Sequence, residues 1–206
     1  MPLPTSAGCA VNLSSLLPDC FGLTKVGGLV PFFYFCRLTD IAGYTPAPAV
    51  APATVSDGSI IGVTLKAMGQ FHKAQGRKFQ NSSSFELLVT STGSTLWKHK
   101  VSAKLFESTQ ADRNLIAGLA LAEDLVFFLP TNAGKVEVFG STLGLKPTTG
   151  KGGSGVKLED DSTLAFEFDG TERTTPPYFQ APDAVGPPAL TGQPASIAYL
   201  DALVTN

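Results

Sequence analysis

The sequence predicts a mainly β chain with one flanking helix and an extended arm at each end. Three observations lead there. Short apolar or alternating runs recur between Gly, Pro, Asn and Ser turn signals. A single segment carries a helical period, and Gly and Pro crowd the two ends of the chain.

Residues 1–28 are interrupted at Pro2, Pro4, Gly8, Pro18, Gly22 and the Gly27-Gly28 pair, so an irregular N-terminal arm is expected. Residues 29–38 (LVPFFYFCRL) read as an aromatic strand that ends at Thr39-Asp40. The Pro/Ala-rich stretch 43–52 (GYTPAPAVAP) reads as an extended loop. Residues 60–72 (IIGVTLKAMGQFH) alternate imperfectly and read as a second strand, bent at Gly62 or Gly69.

Residues 85–91 (FELLVTS) and 95–106 (TLWKHKVSAKLF) flank Thr92-Gly93-Ser94, which is hairpin chemistry. In the second arm Lys98, Lys100 and Lys104 fall on one face, opposite to Trp97, His99 and Val101. A helix is expected over about 110–122. Ser108 or Thr109 caps it, Asp112 sits in its first turn, and Leu115, Ile116, Leu119 and Ala122 form its apolar face.

Residues 125–129 (LVFFL) are too apolar to face water on either side and read as a central strand. The turn 131–135 returns the chain into 136–139 (VEVF). Residues 140–155, rich in Gly, read as a flexible loop, and 163–168 (TLAFEF) as one more strand. Beyond Gly170, Pro176, Pro177, Pro182, Pro187, Pro188 and Pro194 leave no room for ladders, so 171–206 read as an extended C-terminal arm. The expected division is arm 1–28, core 29–170 and arm 171–206. Deleting 176–206 is accordingly expected to leave a folded domain.

Charged residues form only 16% of the chain, against roughly a quarter in soluble domains, as though neighbours cover part of the surface. A net charge of −2 argues against wrapping nucleic acid. Cys9, Cys20 and Cys36 match no zinc spacing, and an odd count fits no disulfide framework, so a reducing cytoplasm is the expected site of synthesis. The start lacks the features of a signal peptide, and the longest apolar run, 29–36, is too short to span a bilayer.

Chemistry is sparse. His99 sits in an alternating strand, where a sheet side chain is the commoner role than a base, and His72 lies in a basic stretch with no nearby acid in sequence. Glu123-Asp124 and Glu159-Asp160-Asp161 lack the alternating spacing of a calcium loop. The stretch 144–152 imitates a phosphate loop, but five residues separate Gly144 from Gly150, and Lys151 is followed by Gly152. The basic stretch 73–78 reads as a solvated turn. The expectation is a non-enzyme with no catalytic, cofactor-binding or metal residues and no cofactor.

Taken in order, several pieces resemble one family. They are Gly27-Gly28 with the aromatic strand closing on Thr39-Asp40-Ile41; Ser82-Ser83-Ser84-Phe85-Glu86; a helix with Arg113-Asn114; and 121–126 (LAEDLV). Thr131-Asn132-Ala133-Gly134-Lys135, Phe139-Gly140, Leu143-Gly144-Leu145 and the strand 164–168 follow. Over about 27–170 the chain resembles the tail tube (major tail) proteins of tailed bacteriophages. The resemblance implies a β-sandwich or small barrel flanked by one helix. It also implies self-association into hexameric rings that stack into a tube, and location in the virion tail after synthesis in the host cytoplasm. Tail sheath, terminator or baseplate proteins would be further partners. DNA would be met only in transit, without sequence-specific binding, and no membrane is involved. Other virion components (a head decoration or cement protein, a connector), an adhesin or carbohydrate-binding module, and an enzyme with a dispersed site remain open alternatives.

Overall fold

Residues 125–129 are apolar at every position because the sheet they join is covered on both faces. The computed structural model describes residues 27–48, 58–76, 80–91, 93–106, 110–153, 163–182 and 192–204. Its larger sheet has seven strands. In spatial order they are β2 (Ile41–Pro46), β3 (Ile60–Leu65), β11 (Tyr178–Phe179), β8 (Val136–Phe139), β7 (Leu125–Pro130), β1 (Phe32–Arg37) and β4 (Phe71–Gln75). Every residue of β7 is buried. A second, four-stranded sheet runs β5 (Ser82–Val89), β6 (Thr95–Phe106), β10 (Thr163–Glu172) and β9 (Lys146–Gly153). Two helices, α1 (Gln110–Ala120) and α2 (Gln193–Leu203), complete the mainly β fold.

The two-residue period of a strand divides the side chains between two cores. Phe33, Phe35, Leu125, Phe127 and Phe139 of the larger sheet meet Val101, Ala103, Phe166 and Phe168 of the smaller one. The Phe127 and Phe168 rings lie 4.7 Å apart across that interface. Tyr34, Val126, Phe128, Val136 and Val138 point the other way and are covered with help from α2, whose Leu200 is fully buried. Leu119 and Ala122, at and just after the end of α1, reach the inter-sheet core.

Several expectations hold and several do not. The hairpin forms across Thr90–Ser94, with Thr90 N–H donating to the Ser94 carbonyl at 2.9 Å, and Trp97 shares a face with Val101. The helix spans Gln110–Ala120 with Leu119 buried; the side chains of Leu115 and Ile116 and the cap residues Ser108 and Thr109 lie outside the described residues. Within the expected loop 43–52, residues through Pro46 continue a strand, because β3 supplies a ladder and Pro46 sits at the end of an edge strand, where its missing donor is tolerated.

The expected bent strand 60–72 is two strands. Lys66–Gly69 turns the chain, with Met68 at φ 67, and an added Cβ on Gly69 would stand 2.8 Å from the Asp40 carbonyl oxygen. Within the expected flexible loop 140–155, residues 146–153 form β9. Glycine suits that strand because a Cβ at Gly150 would come within 2.9 Å of the Phe166 ring.

The largest correction concerns the C-terminal arm. β10 continues through Glu172, Tyr178–Phe179 pair with both β3 and β8, and α2 follows. The described parts of this stretch are therefore built into the fold with the larger sheet, and the described residues hold two α-helices where one was expected. The prolines misled. Pro194 occupies the first turn of α2, where a missing N–H costs nothing. Of the expected N-terminal arm, residues 1–26 lie outside the described residues.

Candidate assembly interface

The four-stranded sheet has two open edges, β5 and β9, and among the described residues no strand pairs with either outer side. β5 is also conspicuous for its side chains. Phe85, Leu87, Leu88 and Val89 are 45%, 55%, 42% and 62% exposed, the densest run of large exposed apolar groups in the described chain. Register explains their placement. Phe85 opposes His99, Leu87 opposes Trp97 and Val89 opposes Thr95, so these three share the inner face of the sheet; Leu88 opposes Leu96 on the outer face. Phe85 and Trp97 make an edge-to-face contact at 5.8 Å. A long apolar edge of this kind is a template for another strand.

The outer face of the same sheet is laced with charge, as the Lys period predicts. Lys98 pairs with Asp169 at 3.4 Å and Lys100 with Glu167 at 3.2 Å, both across the β6–β10 ladder. These exposed pairs contribute little stability individually, on the order of 0–1 kcal/mol. They do keep the face wet.

Glu172 lies at the inner end of β10, fully buried. The N–H groups of Thr142, Leu143 and Gly144 all donate to its Oε1, at 3.2, 2.9 and 3.2 Å. Residues 142–144, which lead into the stretch that imitates a phosphate loop, thus do form an anion cradle, but the chain's own carboxylate fills it. Sequence reading missed Glu172 because it was assigned to an arm. Beside it His99, also fully buried, has Nε2 2.9 Å from the Thr174 carbonyl oxygen. A carbonyl only accepts, so Nε2 carries the proton, and Nδ1 accepts a long 3.5 Å contact from Gly140 N–H. Burial pulls the His99 pKa below its ordinary value and keeps the ring neutral. His99 is the sheet side chain that its pattern implied.

Residues 73–75, expected in a solvated turn, belong instead to β4. His72 lies on the same strand, half-buried and stacked on Phe35 at 5.2 Å, and it lines a cleft of about 410 Å³ with Arg37, Asp40, Met68 and Gln70. The fold brings an acid, Asp40, near it that the sequence separation hid. Burial lowers the His72 pKa more than Asp40 raises it. Cys36, the one thiol among the described residues, has its pKa pushed up to about 12, chiefly by burial, so it is not a thiolate at neutral pH. Asp40 is spent on the adjoining turn: its carbonyl accepts Lys66 N–H at 2.8 Å and its carboxylate accepts Gln70 N–H at 3.5 Å.

The remaining sequence features also do structural work. Asp124 accepts the Thr39 N–H at 3.1 Å and, through its carbonyl, the Leu38 N–H at 2.6 Å. Lys73 pairs with Asp201 of α2 at 2.7 Å, while Tyr34 donates to the same carboxylate oxygen at 2.8 Å. Residues 77–79 and the acidic group 159–161 lie outside the described residues. Among the described residues no three His, Cys, Asp or Glu side chains are grouped to hold a metal ion, and no helix is long and apolar enough to cross a membrane. Comparison with protein-family models, with curated proteins and with solved structures gave no match.

Proposed function

We propose that the chain is a structural subunit, the tail tube protein of a tailed bacteriophage, that closes into rings by pairing β5 of one copy with β9 of the next. The observation that carries this reading is the apolar β5 at one edge of a four-stranded sheet, neither edge of which is paired with another strand among the described residues. The strands alternate in direction from β5 to β9. Copies arranged head to tail with rotational symmetry therefore place β9 antiparallel to the next β5, and the ladder continues without a break. A heterologous contact of this type closes rings when the rotation allows. Ring closure removes the edge hazard that a lone subunit carries.

The resemblance supplies the ring number, six, and the stacking of rings into a tube that conducts DNA; sheath, terminator or baseplate proteins would cap or surround it in the virion. The charged outer face of the smaller sheet suits a water-filled wall. In this role the chain needs no catalytic residue, cofactor or metal.

Negative-stain electron microscopy of the purified chain, with sedimentation velocity alongside, tests the reading. Rings or tubes are expected, and Leu87→Lys with Val89→Lys should leave soluble monomers. A chain that stays monomeric at high concentration, or a double variant that assembles as well as the parent, overturns it.

A further inference from the structure

The two outer strands of the smaller sheet carry opposite charges that find no partner within one copy. Glu86 projects from the outer face of β5, and Lys98, directly opposite, turns instead to Asp169 at 3.4 Å. On β9, Lys146, Thr149 and Lys151 occupy successive rows of the same face, opposite Asp169, Glu167 and Ala165. Glu86, Lys146 and Lys151 are exposed and form no ion pair among the described residues.

We propose that β5 and β9 of the next copy pair in one register, with Ser84 opposite Lys151 and Glu86 opposite Thr149, so that Glu86 sits between Lys151 and Lys146. This register rests on the β5–β9 contact proposed above and specifies it. Charge is the first support, since each free carboxylate meets two free ammonium groups one row away. Exposed pairs of this kind add little affinity, but they select register. Overlap is the second. Ser82 falls opposite Gly153, and Leu88, past the β9 bulge, falls opposite Lys146, so two strands of eight residues match along nearly their whole length.

The backbone is the third. Thr90 N–H donates to the Ser94 carbonyl, so alternation aims the amides of Ser83, Phe85 and Leu87 away from β6. Carried on through β6 and β10, the same alternation aims those of Gly150 and Gly152 away from β10. The register sets Ser83 against Gly152 and Phe85 against Gly150, so the outward donors and acceptors meet. Gly150 is exposed and leaves room for the Phe85 ring to lie over it. Aromatic cover of an edge glycine pins strand register.

Stagger is the fourth. Through the ladders Glu86 lies level with Thr171, whereas Thr149 lies level with Glu167, four residues away on β10. Four strands per copy thus advance by four residues, one per strand. That is the ratio of an eight-stranded barrel of shear eight, with a tilt of about 36°. A flush register would give no tilt, and closure requires one.

Oxidative cross-linking of the assembled full chain tests the register. Ser84 and Lys151 would form a non-hydrogen-bonded pair with Cβ atoms about 4.5–5.5 Å apart, whereas diagonal neighbours stand about 7–8 Å apart. Chains carrying Ser84→Cys, mixed with chains carrying Lys151→Cys, should give a disulfide-linked dimer. Mass spectrometry of the linked peptides separates this bond from any made by Cys9, Cys20 or Cys36. Ser82→Cys or Glu86→Cys in place of Ser84→Cys should link at least about tenfold less.

Charge reversal gives a second readout without added cysteine. Glu86→Lys should raise the concentration at which rings form by at least about fivefold, and Lys146→Glu with Lys151→Glu in the same chain should bring it back. Assemblies that link more readily through Ser82→Cys or Glu86→Cys refute the register and leave the ring reading standing. So does a Glu86→Lys chain that assembles like the parent. A parent chain that stays monomeric at high concentration refutes both.

Discussion

Replacing Glu172 by alanine tests whether a single buried carboxylate organises the loop between β8 and β9. Three backbone N–H groups converge on its Oε1 within 3.2 Å, and the side chain is fully buried. Truncation strands those donors. Each buried donor left without a partner costs about 1–3 kcal/mol. Only Gly144 of the three is buried, and water can reach the N–H groups of the exposed Thr142 and Leu143, so the total is about 1–3 kcal/mol. For a chain of this size that corresponds to a drop of roughly 2–12 °C in Tm. Glu172→Gln keeps an oxygen for the cradle and should lose much less. Its amide would fall where Oε2 is buried without a partner, so it should not be silent. Urea unfolding followed by far-UV circular dichroism measures both variants. A Glu172→Ala midpoint within error of the parent would show that the cradle is not holding the loop in solution.

Three further outcomes follow from the same physics. Leu200→Ala and Leu119→Ala remove buried side chains from the two separate cores and should each cost about 2–5 kcal/mol in denaturant melts; a neutral result for either places that helix off the core. His99 is held neutral with a lowered pKa, so its stability contribution is complete above the unfolded value of 6.5 and is lost as pH falls below it. The parent should therefore weaken as pH falls below about 6.5, by up to about 1.4 kcal/mol per pH unit for this group. His99→Gln should flatten that slope; His72, shifted the same way, retains its own part. Gly150→Val should destabilise by clashing with the Phe166 ring, whereas Gly93→Asn in the exposed hairpin turn, where φ is 82 and an added side chain meets nothing, should be close to neutral.

The elements legible in sequence were those whose own residues carry the signal. The β6 period of Lys against Trp97, His99 and Val101 fixed both faces of that strand, and the unbroken apolar run of β7 announced a sheet covered twice. What stayed hidden was specified by partners. Lys146–Gly153 is a strand because Phe166 needs the space glycine leaves, and β10 provides the ladder. Tyr178–Phe179 is too short to signal anything alone, and its strand character comes wholly from β3 and β8. The exposed apolar run of β5 was visible as letters, but its exposure was not, since alternation says which residues share a face and not whether anything covers it. Glu172 gave no local sign because its three partners lie about thirty residues away.

Removing residues 176–206 is the sharpest remaining test, since sequence and structure give opposite forecasts. As a dispensable arm, the segment could go and leave a folded domain. In the structure it holds the larger sheet together. Among the described strands, β11 alone links the β2–β3 pair to β8, pairing with Ile60 on one side and with Glu137 and Val136 on the other. Without it, β2 and β3 lose their attachment to the sheet. Phe179, 2% exposed, packs edge-to-face on Phe128 at 5.7 Å, and α2 is clasped by Tyr34 and Lys73 through Asp201 and by Tyr199, whose hydroxyl bonds both N–H and C=O of Val63. Truncation would uncover much of the second core, including Val126, Val136 and Val138, each at most 1% exposed. A sheet face of that kind does not stay in water as a monomer. The truncated chain should therefore aggregate or show no cooperative melt, before any question of assembly arises. A truncated chain that is soluble, monomeric and melts cooperatively would mean that β11 and α2 are not part of the core, and would return the segment to the role of an arm.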